Sequence, residues 1–238
     1  MKIRYAVAVA LAFGWSVQAH AQAAGDVLLN LGWFHLAPQD SSSPLRVNTP
    51  LGSATVPNSS ASVGHSDTGG GSISYFFTNH VAVESVFGYP PKMRLDGGGS
   101  LAALGKLGSA NEWSPTVLLK YYFGNPDDKL RPYLGAGASY VWYSNVRLEP
   151  GLASGAFLAS TGLSGTTHAD LSSTLAPVLN TGMSVRISKH WSANLSVSYL
   201  VLSTRATLTT QSAVGTITSQ TKLHVNPIVT FVSLGYRF

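Results

Sequence analysis

The sequence predicts an all-β protein: an eight-stranded antiparallel transmembrane β-barrel with short periplasmic turns and long extracellular loops. Three observations lead there. Mean hydropathy is positive, yet no apolar run beyond the N-terminus approaches the ~18 residues that a spanning helix needs, so the apolar residues are spread in alternation. Charged residues make up 11% of the chain, against about a quarter in a soluble domain. The chain ends on residues 222–238, KLHVNPIVTFVSLGYRF, where Phe238, Tyr236, Leu234, Val232, Thr230 and Ile228 share one face at period two. A terminal strand with aromatics on one side suits a sheet that closes on itself and leaves no edge in lipid.

The elements follow in order. Lys2 and Arg4 precede a short apolar run over residues 5–13, and Ala19-His20-Ala21 is a small-x-small cleavage site. Residues 1–21 therefore read as a signal peptide, with a second cleavage site after Ala23, and residues 22–238 as the outer-membrane barrel. Period-two alternation predicts strands over 26–37, 65–78, 80–89, 112–124, 130–147, 172–188, 191–206 and 222–238. Connections after the second, fourth and sixth strands are tight. Those after the first, third, fifth and seventh are long: residues 38–64, 90–111, 149–171 and 207–219. Residues 97–99 and 154–167, rich in Gly, Ser and Thr, read as mobile loops. Short turns on one side and long loops on the other fit an outer-membrane barrel with its long loops outside the cell.

Several function classes are disfavoured. Cysteine is absent, so there is no disulfide framework and no thiolate metal site. Loss of Lys2 and Arg4 takes the net charge from +5 to +3, too small a surplus to indicate nucleic acid. No histidine pair stands at metal-ligand spacing with a carboxylate nearby, and no cofactor is expected. His65-Ser66-Asp67 has the letters of a triad, but consecutive strand residues point to opposite faces. His190 and Ser192 could share a face near the inner rim, as a lipid-active enzyme would need, but the signal is weak and a turn histidine is the better account of His190. The protein is expected not to be an enzyme.

The chain resembles the OmpW family of eight-stranded outer-membrane proteins, which includes alkane-import relatives. The resemblance rests on Pro115-Thr116-Val117 through Tyr121-Tyr122-Phe123-Gly124 and on Arg131-Pro132-Tyr133-Leu134-Gly135-Ala136-Gly137. It continues in Trp191 with Asn194, Ser196, Val197 and Tyr199, in Asn226-Pro227 with Gly235-Tyr236-Arg237-Phe238, and in residues 81–85 with Glu84. The sequence departs from the family pattern at His224, where an acidic residue is usual, and at Pro177. The resemblance implies a channel for small hydrophobic molecules with an apolar lumen and a sideways exit into the membrane. It also implies that the outer-membrane assembly machinery reads the aromatic C-terminus.

The inward parity of each strand tests that implication. Near the tight turns it places Glu84, Lys120, Arg131, Arg186 and Arg237, four bases and one acid, as a charged floor. Toward the long loops it places Phe34, Leu36, Leu118, Val141, Leu200, Leu202, Val225, Val229 and Phe231, together with Val86. An apolar chamber over a charged floor suits an apolar ligand, whereas the same residues could equally pack the lumen shut. Pro115, Pro177 and Pro227 fall within strands, where each removes a ladder donor. Each marks either a lateral opening in the wall or a bulge that only bends the strand. The expected function is passive uptake of small hydrophobic solutes across a membrane whose lipids surround the barrel. The alternative is a closed structural barrel whose extracellular loops serve envelope integrity, adhesion or reception.

Overall fold

The computed structural model describes residues 23–49, 52–161, 163–213 and 215–238. The expected signal peptide, residues 1–21, lies outside the described residues. A closed antiparallel barrel is formed by β1 (Val27–Ala37), β2 (Ser66–Phe76), β3 (Val81–Gly88), β4 (Thr116–Tyr122), β5 (Leu130–Leu148), β6 (Thr174–Arg186), β7 (Trp191–Leu200) and β8 (Ile228–Arg237). Each strand pairs with the next, and β8 closes on β1 in a register running from Leu28–Arg237 to Ala37–Ile228.

The alternation in sequence becomes two chemically distinct faces. Leu31, Val117, Leu119, Leu134, Leu179, Leu195 and Leu234 point outward and are exposed, forming the apolar band that meets hydrocarbon. Aromatic side chains ring both ends of it. At the tight-turn end, Tyr75–Phe77, Tyr121–Phe123 and Tyr236–Phe238 form edge-to-face pairs with centroids 5.0, 5.2 and 5.0 Å apart. At the other end stand Trp33, Tyr89, Tyr140 and the stacked Trp113–Trp142 pair, 5.8 Å apart. An indole or phenol has an apolar body and a polar tip, so both rings mark the membrane interfaces.

The tight turns are held by short side chains bonding the backbone. The Val81 N–H donates to Thr78 Oγ1 at 2.9 Å, and the Asn125 N–H donates to Asp128 Oδ2 at 2.7 Å. Gly124, at φ 75°, makes the reversal before β5 possible, since a Cβ there would meet Asp128 Oδ2 at 2.5 Å.

Beyond the upper aromatic ring the expected long connections are present, but they are folded rather than open and mobile. Residues 90–111 and 207–219 do not form open loops. They are largely paired hairpins, Lys92–Gly99 with Lys106–Trp113 and Ser203–Ser212 with Gly215–His224. Gly97, Gly98 and Gly99, expected to be mobile, pair with Ala61, Ser60 and Ser59. Gly165–Leu171 and Arg46–Thr49 extend these sheets. Their inner faces bury Leu45, Val47, Leu101, Leu107, Leu152, Leu158, Leu208 and Ile217, an apolar cap above the barrel. The expected seventh strand, 191–206, ends at Leu200. The expected closing strand, 222–238, is broken between His224 and Ile228. Asn226 causes this second break: it sits at φ 36°, a conformation asparagine tolerates, and its Oδ1 accepts the Leu202 N–H at 3.0 Å.

A lumenal cavity and a discontinuity in its wall

The lower lumen is filled. Glu84 and Lys120, both almost fully buried, form an ion pair that also receives hydrogen bonds from Ser72 Oγ at 2.7 Å and Ser74 Oγ at 3.3 Å, each to Glu84 Oε1. Lys120 Nζ lies 4.3 Å above the Tyr133 ring. Arg131 stands 5.2 Å from the Tyr122 ring and donates to the Asn79 carbonyl at 2.6 Å. Arg237 pairs with Asp26 at 3.1 Å and donates to the Lys189 carbonyl. Arg186 sits at the rim, half-buried, against Asp127 at 3.6 Å. The floor thus holds more acid than the expected lone Glu84. Asp26 falls on the inward parity of the expected first strand, although the sequence does not single it out, and stands just before β1; Asp127 lies in the turn before β5, where parity does not register it. Leu28, Phe76, Ala82, Tyr122 and Tyr133 complete the seal.

Above the floor, the rings of Phe34 and Phe231 stack at 3.9 Å, and over them opens a cavity of about 330 Å³. Of the residues expected in an apolar chamber, Phe34, Leu36, Leu118, Leu200 and Val229 line it, with Val86 and Val178. Phe231 lies beneath, in the stack. Val141 and Leu202 have no exposure at all and pack with Ala176 in the cluster joining this cavity to the space above. Val225 belongs to that upper space, a second apolar chamber of about 110 Å³ enclosed by the extracellular hairpins. The expected single chamber is therefore two, with packed side chains between them.

The lower cavity's lining also includes Phe87, Tyr89 and Trp113, whose side chains are exposed on the outer surface, so the cavity reaches through the wall. The β3–β4 ladder ends at Thr116–Val86. Among the described residues no backbone hydrogen bond joins 87–90 to 113–115, and contact resumes where the Glu112 N–H donates to the Pro91 carbonyl at 3.0 Å. The chemistry of the β3 end explains the break. Tyr89 turns its N–H to the Gly69 carbonyl at 3.0 Å, and its carbonyl accepts Thr68 Oγ1 at 2.7 Å, both on β2. Pro90 and Pro91 then offer no N–H.

Of the three prolines, Pro115 and Pro227 line the cavity, but only Pro115 borders this break. Its missing N–H is not the direct cause. The Tyr140 N–H donates to the Pro115 carbonyl at 3.1 Å, so the backbone groups of Pro115 face β5, on the intact side. Pro177 stays in register with Ala138 and accepts the Val201 N–H at 2.9 Å. Pro227 is fully buried and accepts the Leu200 N–H at 3.1 Å, so pairing continues on both sides of these two residues.

One residue that the sequence did not single out stands between the chambers. Glu112, 3% exposed, borders both. It belongs to the hairpin strand Lys106–Trp113, outside the membrane-spanning strands, and burial pushes its pKa up to about 7. Its only sequence signal was parity: two residues before Ser114 and four before Thr116, it falls on the inward face.

The catalytic candidates do not assemble. Asp67 bonds His35 at 2.8 Å, whereas Ser66 Oγ donates to the Lys92 carbonyl at 3.3 Å. His190 Nδ1 lies 3.1 Å from the Arg237 carbonyl. Among the described residues no group of three His, Cys, Asp or Glu could hold a metal ion.

An apolar outer band, two aromatic rings, a closed sheet and a lumen sealed at one end define a small outer-membrane barrel. The model of the OmpW family matches residues 23–238, and the chain belongs to that family. Outer membrane protein W of Vibrio cholerae is 27% identical over 225 residues, which cover 94% of this chain and 93% of that protein. Outer membrane protein AlkL of Ectopseudomonas oleovorans is 25% identical over 188 residues, 79% and 73% of the two chains. The crystal structure of OprG from Pseudomonas aeruginosa superposes with a TM-score of 0.78 at 26% identity, covering 92% of this chain and 98% of that one. The protein is thus an outer-membrane protein, surrounded by lipid.

Proposed function

We propose that the barrel is a passive channel for small hydrophobic solutes, which reach the lower cavity from the loop side and leave sideways into the membrane between β3 and β4. The observation that carries this reading is the cavity that runs from Phe34, Leu118 and Leu200 to the outward-facing Phe87, Tyr89 and Trp113 through an unpaired stretch of wall. Transferring an apolar molecule from there to lipid desolvates no charge. The straight route would require breaking the buried Glu84–Lys120 and Asp26–Arg237 pairs. Membership of the OmpW family supports the same reading.

The competing reading is a closed structural barrel acting through its extracellular surface, and the packed cap over the upper lumen favours it. Uptake of a radiolabelled hydrophobic compound separates the two. A strain lacking the protein should accumulate the compound more slowly, with recovery on complementation. Equal rates in both strains would select the structural role. The C-terminal strand, ending in the exposed Phe238, is proposed as the element the outer-membrane assembly machinery reads. No catalytic step or cofactor forms part of the proposal.

A further inference from the structure

The Glu112 carboxyl has no hydrogen bond or ion pair from the described residues, although it is almost wholly buried and faces cavity space on both sides. Among the described residues the fully enclosed side-chain polar atoms without a partner are Asn180 Oδ1, Ser219 Oγ and Ser233 Oγ, so the Glu112 oxygens open onto the cavity, and an occupant of the cavity must bond them there. Across the ladder stands Tyr143, which forms no hydrogen bond with Glu112, and the nearby Thr204 Oγ1 donates to the Ser172 carbonyl at 2.8 Å. Of the upper chamber's bases, Arg94 is paired with Asp96 at 2.8 Å, and neither it nor Arg147 forms an ion pair with Glu112.

We propose that Glu112 binds the hydroxyl head of a medium-chain alcohol whose alkyl tail fills the lower cavity. The inference rests on the channel reading above and narrows its substrate class. Burial favours the neutral acid, which carries one donor and one acceptor. A hydroxyl matches that pair with its own donor and acceptor. An ammonium brings a full charge that a neutral carboxyl does not balance, and a mostly apolar lining makes its desolvation costly. A plain alkane fits the walls but leaves the carboxyl unbonded.

The test uses the full barrel in lipid nanodiscs, labelled with 13C at glutamate carboxyls and at Leu and Val methyls. The chain has three glutamates, Glu84, Glu112 and Glu149, so Glu112 is assigned by its loss in Glu112→Gln. Octan-1-ol, octane and octylamine are each added at equal mole fraction in the bilayer, and the same additions are made to Glu112→Leu, which cancels partitioning into lipid. Octan-1-ol should shift the Glu112 carboxyl resonance saturably. Its half-saturation, read from the Leu118 and Val178 methyls, should be about tenfold lower in the native protein than in Glu112→Leu. Octane should saturate both proteins equally, and Glu112→Gln, which keeps a donor and an acceptor, should stay within about threefold of native for octan-1-ol.

Equal half-saturation for octan-1-ol in native protein and Glu112→Leu would overturn the assignment, as would tighter binding of octylamine. If octane shifts neither Leu118 nor Val178, the cavity reading itself fails. If octane shifts both and octan-1-ol shows no preference, only the role of Glu112 fails.

Discussion

Replacing Lys120 by methionine tests whether the floor is a strong structural barrier. Methionine keeps most of the lysine's apolar stem, so the change removes charge more than volume. Glu84 would be left buried with no counter-charge. Removing one member of a buried ion pair costs about 3–5 kcal/mol. The ion-pair loss sits at the lower end of that range. Ser72 and Ser74 still donate to Glu84 Oε1, and the lost contact with the Tyr133 ring adds only about 1 kcal/mol. A loss of about 3–4 kcal/mol follows. With a urea dependence of about 1–3 kcal/mol per molar, the unfolding midpoint should fall by roughly 1–4 M. The assay is reversible urea unfolding of the barrel in lipid vesicles, followed by tryptophan emission. The double variant Glu84→Gln, Lys120→Met keeps acceptors for both serines and should recover to within about 1.5 kcal/mol of native. A single-variant loss below about 1 kcal/mol, or a double variant as weak as the single one, would refute the reasoning.

Gly88→Phe places a ring at the break between β3 and β4. Because a Cβ there meets only ordinary contacts, the nearest at 3.4 Å, the barrel should fold while uptake of a labelled hydrophobic compound falls toward that of the deletion strain. Glu112 should make stability fall with rising pH. Between the ordinary carboxyl value of 4.5 and the folded value of about 7 the folded state binds more protons than the unfolded one, so unfolding becomes easier through that window by about 3 kcal/mol and then levels off. Glu112→Gln should flatten that slope in urea titrations at pH 5 and pH 8. Phe238→Ala removes an exposed aromatic while the backbone bond from the Phe238 N–H to the Val27 carbonyl, at 3.0 Å, remains. Vesicle stability should change by less than about 1 kcal/mol while the amount assembled in the outer membrane of cells drops several-fold, as quantitative immunoblotting would report.

The membrane-spanning part of this fold was legible because lipid imposes a strict code. An outward residue must be apolar and an inward one small, polar or paired, so Leu134 and Leu234 could be separated from Arg131 and Arg237 by parity alone. Above the aromatic ring that code lapses. Outward residues there meet water, and Ser203–Ser212 alternates Ala206 and Leu208 with threonines and a glutamine, a pattern too weak to distinguish from loop. Only the packing of Leu208, Ile217 and Leu107 on one another makes those hairpins visible.

The prolines show a deeper limit. Sequence reveals that a donor is missing but not which neighbour loses it, nor whether a nearby group compensates. At Pro227 the Asn226 side chain and the Leu200 N–H keep the wall paired, and at Pro177 the Val201 N–H does so. At Pro115 the bond lost would have faced β5, whereas the wall parts on the β3 side. There Tyr89 commits its backbone to β2 and Pro90-Pro91 follow without donors. A break in a closed sheet is thus a property of two strands together. Restoring a donor at Pro115 alone should therefore leave it open, whereas replacing Pro90 and Pro91 with residues that carry an N–H attacks the side on which it forms.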